Sequence, residues 1–105
     1  MRRVNEVIRE VLAAAIATDL KDPRIGFVTV TDVDTSPDLR AARVFVSVLG
    51  SEDDRHNALE GLQSAHGFLQ GRIASELRIK RTPTLTFHYD DSVERGARLS
   101  RLLDE

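Results

Sequence analysis

SAHGFLQGRIASEL, residues Ser64 to Leu77, carries a helical pattern straight through two glycines, and the resolution of that conflict decides the fold. Leu59, Leu62, Ala65, Leu69, Ile73 and Leu77 recur at steps of three and four, which places them on one helical face. Gly67 and Gly71 oppose continuity, since each glycine in a helix interior costs about 0.5 to 1 kcal/mol relative to alanine in backbone entropy. One straight helix from Asp54 to Leu77 would run about 36 Å at ~1.5 Å per residue. A chain of this length forms a globule roughly 33 Å across, with a radius of gyration near 13 Å, so a bent pair of helices fits better than a rod. The simpler alternative is a helix that tolerates its glycines.

The chain has 105 residues, enough for one domain with one ordinary core. Hydrophobic residues make up 41% and charged residues 30%, a balance that folds rather than staying disordered. The absence of cysteine removes disulfides, thiolate metal sites and cysteine nucleophiles. The N-terminus, MRRVNEVIREV, intersperses Asn5, Glu6, Arg9 and Glu10 among apolar residues, unlike a signal-peptide core, and no apolar run approaches a membrane span. A cytoplasmic protein with no membrane contact is expected. The formal charge of −2 gives no global sign of nucleic-acid binding. Its distribution is more informative. Glu52, Asp53 and Asp54 form one acidic cluster and Asp32, Asp34 and Asp38 another, while Arg72, Arg78, Lys80 and Arg81 gather after the glycine break.

Outward from that stretch the elements follow by pattern. Val4, Val7, Ile8, Val11, Leu12, Ala15, Ile16 and Leu20 predict an amphipathic helix that ends near Lys21 to Asp22, ahead of Pro23. Phe27 to Val33 and Arg40 to Leu49, separated by Thr35-Ser36-Pro37-Asp38, read as a β-hairpin. Ala42, Val44, Val46 and Val48 share the face expected to meet the helices, joined by Val28 and Val30, with Thr29 and Thr31 outward. Ser51 and Asp54 stand at capping-box spacing before the central helices. Thr82-Pro83 ends them, and Leu85 to Tyr89 alternates as a third strand with Leu85 and Phe87 inward. Asp91 and Glu94 are placed to cap a short last helix, Val93 to Leu103. The long helical connection makes the third strand parallel to the second, in a mixed sheet of order 1-2-3 with helices on one face.

No catalytic constellation converges in this pattern. His56, His66 and His88 lie on different elements without metal-ligand spacing, so no metal is expected. Helix capping accounts for Asp90-Asp91 without a cation, and Gly67-x-x-x-Gly71 lies in a stretch too polar for a membrane packing motif.

Long segments resemble one family in its order: Arg3-Val4-Asn5-Glu6-Val7-Ile8-Arg9-Glu10; Lys21-Asp22-Pro23-Arg24-Ile25-Gly26-Phe27-Val28-Thr29-Val30-Thr31-Asp32-Val33; Ser36-Pro37-Asp38-Leu39; Val44-Phe45-Val46-Ser47-Val48-Leu49-Gly50; Ser64-Ala65-His66-Gly67-Phe68-Leu69; and Tyr89-Asp90-Asp91-Ser92 with Glu94-Arg95-Gly96. Together they span nearly the whole chain and are similar to the ribosome-binding factor A family. The resemblance implies an α+β, type II K-homology-like domain over residues 1–105, ordered α-β-β-α-kink-α-β with a short C-terminal helix. K-homology domains usually clamp nucleic acid with a Gly-x-x-Gly loop between their central helices. The family replaces that loop with an Ala-x-Gly kink, which falls here on Ala65-His66-Gly67.

The resemblance also implies binding to the immature small ribosomal subunit and its ribosomal RNA, promotion of late maturation and precursor processing, and departure before translation. No enzymatic step and no cofactor is implied, and the free protein is expected to be a monomer. The candidate phosphate contacts are Arg72, Arg78, Lys80 and Arg81, with Arg43 and Arg24 as further candidates. The sequence departs from the family in its acidic net charge and in a C-terminus shorter than that of many relatives. A protein-protein adaptor and an RNA-processing enzyme are the competing readings; the missing catalytic set argues against the enzyme, and salt dependence separates the adaptor.

Overall fold

A computed structural model describes residues 2–20, 22–78 and 82–91. The expected helix Val93 to Leu103, the Glu94 of its expected cap, and the candidate contacts Lys80 and Arg81 fall outside the described residues. The elements are α1 (Arg2–Thr18), β1 (Val28–Thr35), β2 (Ala41–Val48), α2 (Glu52–Ser64), α3 (His66–Leu77) and β3 (Thr84–Tyr89). β1 pairs antiparallel with β2, β2 pairs parallel with β3, and the sheet order is β1-β2-β3, as the connection lengths require.

α1 forms because its apolar residues repeat on one face: Ile8, Leu12, Ala15 and Ile16 are buried, while Arg3, Glu6, Arg9 and Glu10 are solvated or lie at the margin. It ends at Thr18, earlier than the proline alone predicts. Two local bonds close it there. The Thr18 hydroxyl donates to the Ala14 carbonyl at 2.6 Å, and the Leu20 amide reaches back to the Ala15 carbonyl at 3.2 Å, so the carbonyls of Ala14 and Ala15 are engaged before Pro23 is reached.

β2 is the central strand, and Ala42, Val44, Val46 and Val48 all turn into the core with Leu85 of β3. β1 obeys the expected alternation only at its start. Val30 faces the helices and Thr29 and Thr31 are exposed, but the next buried residues are Val33 and Thr35. A bulge between Val30 and Asp32 shifts the register, pairing Asp32 with Phe45 and Val33 with Val44. Uninterrupted alternation would drive the Asp32 carboxylate into the apolar layer, and the bulge exchanges it for Val33. The Thr35 amide then donates to Asn5 Oδ1 of α1 at 3.2 Å, tying the strand end to the helix.

Gly50, two residues past β2, has φ +136°, and an added Cβ there would lie 2.2 Å from Asp54 Oδ2. That carboxylate is engaged in the capping box of α2: it accepts from the Ser51 amide at 2.8 Å while Ser51 Oγ accepts from the Asp54 amide at 3.2 Å. Ala58 and Leu62 of α2 and Leu69 and Ile73 of α3 complete the core against the sheet. Gln70 of α3 closes part of the outer edge of β3, donating to the Pro83 carbonyl and accepting from the Leu85 amide at 3.2 Å.

Candidate nucleic-acid interface

The break between the central helices falls on Ala65, with φ −87° and ψ 6°. Its amide donates to the carbonyls of Gly61 and Leu62, and its own carbonyl accepts from Leu69, so one bridge-region residue bends the chain while the hydrogen-bond ladder continues across it. His66 and Gly67 are the first two residues of α3. Gly67 and Gly71 therefore do not make the interruption. Neither takes a positive φ, and a Cβ at either position would meet nothing within 4 Å. What the glycines do is leave the outer face of α3 bare.

With Leu69 and Ile73 directed inward, Gly67, Phe68, Gly71, Arg72, Ala74 and Ser75 are all exposed. Phe68 is 47% exposed, and the Arg72 guanidinium lies 5.6 Å from the centre of its ring. Phe68 was absent from the residues that sequence patterning marked as functional. The signal was available, since Phe68 lies off the helical face that Leu62, Ala65, Leu69 and Ile73 share.

Among the described residues, the predicted phosphate contacts Arg24, Arg43, Arg72 and Arg78 are not gathered on one surface. Arg24 lies in the segment before β1, where its guanidinium forks onto Asp22, with Nη2 2.6 Å from Oδ2 and Nε 3.1 Å from Oδ1. Hydrogen bonding from Arg24 holds the Asp22 carboxyl below the usual carboxylate range, and the same bond raises the arginine. Arg43 stands on the uncovered face of the sheet, paired with Asp34 of β1. Arg72 reaches from α3 to Asp19 just past the end of α1. Its positive charge offsets a carboxylate placed unfavourably at a helix C-terminus. Arg78 differs from all three. It ends α3 in the left-handed region, at φ 51° and ψ 33°, exposed and with no acidic partner among the described residues.

The uncovered sheet face carries a second cluster. Phe45 is half-buried at its centre, its ring 5.6 Å from that of His88 and 5.9 Å from the Arg43 guanidinium. At the margin the Thr31 hydroxyl donates to Asp90 Oδ2 at 2.6 Å. Among the described residues no group of three or more His, Asp or Glu side chains converges to hold a metal ion, and no helix is long and apolar enough to cross a membrane.

A family model described as ribosome-binding factor A matches residues 1–103. The chain belongs to the ribosome-binding factor A family. A ribosome-binding factor A from Azoarcus sp. is 49% identical over 104 residues, covering 99% of this chain and 82% of the relative. The crystal structure of ribosome-binding factor A from Thermus thermophilus superposes with a TM-score of 0.76 at 30% identity, covering 84% of this chain and 92% of that one. A Thermus thermophilus ribosome-binding factor A homology model, fitted into the cryo-electron-microscopy map of a 30S complex, matches with a TM-score of 0.69 at 30% identity, over 83% of this chain and 91% of that one. The fold is thus the K-homology-like fold of this family, with the three-stranded mixed sheet derived above.

Proposed function

We propose that this chain binds the immature small ribosomal subunit and contacts its ribosomal RNA along the outer face of α3 and through the basic residues that follow it in sequence. Residues 1–105 act as one K-homology-like domain, monomeric when free and cytoplasmic. The protein promotes late maturation and precursor processing and departs before translation begins. It needs no covalent step and no cofactor, because a factor that binds one RNA arrangement more tightly shifts the population toward it by the difference in binding free energy.

The observation that carries this reading is the outer face of α3: a strip without side chains at Gly67 and Gly71, an exposed Phe68 beside it, and Arg78 at its end in a left-handed conformation. Bare backbone admits a close approach by a sugar-phosphate chain, and an exposed aromatic offers a stacking surface for an unpaired base. Glycine is the ordinary residue at a left-handed helix end, and a side chain there costs on the order of 1 kcal/mol, partly offset by the charge complementing the helix dipole. Keeping an arginine retains a cation at the edge of the strip. Lys80 and Arg81, the next basic residues in sequence, are further candidates, while Arg24, Arg43 and Arg72, each already paired with an aspartate, contribute less. The 30S complex of the Thermus thermophilus relative supports the choice of partner.

The test is a variant carrying Arg78→Gly, Lys80→Gln and Arg81→Gln, sedimented with immature small subunits over a salt series. Removing three phosphate contacts lowers the slope of log affinity against log salt by roughly 2, while relief of the left-handed arginine leaves the unfolding midpoint equal or higher. Unchanged affinity and slope would sink the RNA face. Equal recovery of the parent protein with mature ribosomes and immature subunits would sink the assembly role.

A further inference from the structure

We propose that the groove between α1 and α3 receives a lysine side chain from a basic protein segment. This goes beyond the RNA reading and does not depend on it. The groove has a volume of about 270 Å³ and is lined by Glu10, Val11, Ala14 and Ala15 of α1 and by Arg72 and Glu76 of α3.

Its floor is apolar: Ala15 is buried, Val11 half-buried, and the Ala14 methyl is open to solvent. A carboxylate borders it from each helix. Glu10 and Glu76 are exposed and have no ion-pair partner among the described residues. Arg72, the lone cation in the lining, is committed to Asp19 and lies over the Phe68 ring. Two uncompensated carboxylates above a strip of methyl groups complement a side chain with an aliphatic stem and a cationic tip.

Lysine fits that description better than arginine. Its four-carbon stem lies along Val11 and the alanines, and its compact ammonium carries three donors that serve carboxylates on two different helices. Guanidinium is at its best against a single carboxylate gripped by both arms, which two glutamates on separate helices do not provide. Phosphate is repelled by the same two charges, so the groove belongs to a protein partner and the outer strip of α3 to RNA.

The proposal is tested by methyl NMR of the full chain titrated with a synthetic glycine-serine-lysine repeat peptide, and with the same peptide acetylated at every Nε. The expected result is a saturable shift of the Val11 and Ala14 methyl signals with the lysine peptide and none with the acetylated one. Glu10→Gln with Glu76→Gln weakens that binding at least roughly tenfold, since both exposed changes preserve helix propensity. Glu52→Gln with Asp53→Asn, which removes the same charge from the first turn of α2, leaves it unchanged. Equal binding of the acetylated peptide, equal loss in the α2 variant, or methyl signals that stay still would each overturn the assignment.

Discussion

Gly50 and Gly61 differ from Gly67 and Gly71 in what stands where a side chain would be. At Gly50 a Cβ would sit 2.2 Å from Asp54 Oδ2, and at Gly61 it would sit 2.7 Å from Ile25 Cγ1. At Gly67 and Gly71 it would meet nothing within 4 Å. The first pair answers to the fold. The second occupies ordinary helical backbone beside open space, where alanine costs the fold nothing and adds helix propensity, so the fold itself does not require it. Alanine substitution breaks the two pairs in opposite directions. Gly50→Ala should do most, because it combines left-handed strain, a collision and loss of the carboxylate that caps α2. A loss of about 2 to 4 kcal/mol in denaturant unfolding is expected, and a loss below about 1 kcal/mol would mean that the capping box tolerates displacement.

Gly61→Ala probes packing alone. Gly61 is helical and buried in α2, and Ile25, from the segment between α1 and β1, packs onto its backbone. The added methyl displaces Ile25 from a filled core, a change that costs about 1 to 3 kcal/mol, reduced by the better helix propensity of alanine. Chemical denaturation should therefore place this variant between Gly50→Ala and the parent. If it proves as stable as the parent, the Ile25 segment is free to shift.

Periodicity made most of the fold legible. Alternation on Ala42, Val44, Val46 and Val48 identified the central strand and its buried face, and Ser51 with Asp54 marked the start of α2. Less was legible where a residue answered to something distant in sequence. The bulge after Val30 follows from keeping Asp32 out of the core opposite Phe45, a cross-strand requirement that local alternation does not express. Arginine clustering in the sequence suggested one basic face, yet Arg72 is neutralised by Asp19, which lies 53 residues away. Arg43 is held by Asp34 across the hairpin, which leaves Arg78 as the exposed cation without an acidic partner at the described end of α3. The bend itself was legible within Ala65-His66-Gly67, and the structure places it on Ala65. The chain bends at Ala65 because its ψ of 6° departs from the helical value, a property that composition does not reveal.

Gly67→Ala combined with Gly71→Ala gives the smallest stability effect and the sharpest form of the contrast. Each alanine reduces the entropy lost on folding in a helical position without meeting a neighbour, so the double variant should gain about 1 to 2 kcal/mol. If RNA backbone approaches this strip, the same two methyl groups stand in its path, and sedimentation with immature small subunits should show weaker binding by a protein that is more stable than its parent. Opposite signs matter here, because a variant that folds better and binds worse cannot owe its defect to unfolding. A gain in stability with full binding would instead show that the bare face of α3 stays open to solvent in the complex, and would move the contact to the turn at Arg78. A loss of stability would contradict the open space beside both glycines and return them to the same class as Gly50 and Gly61.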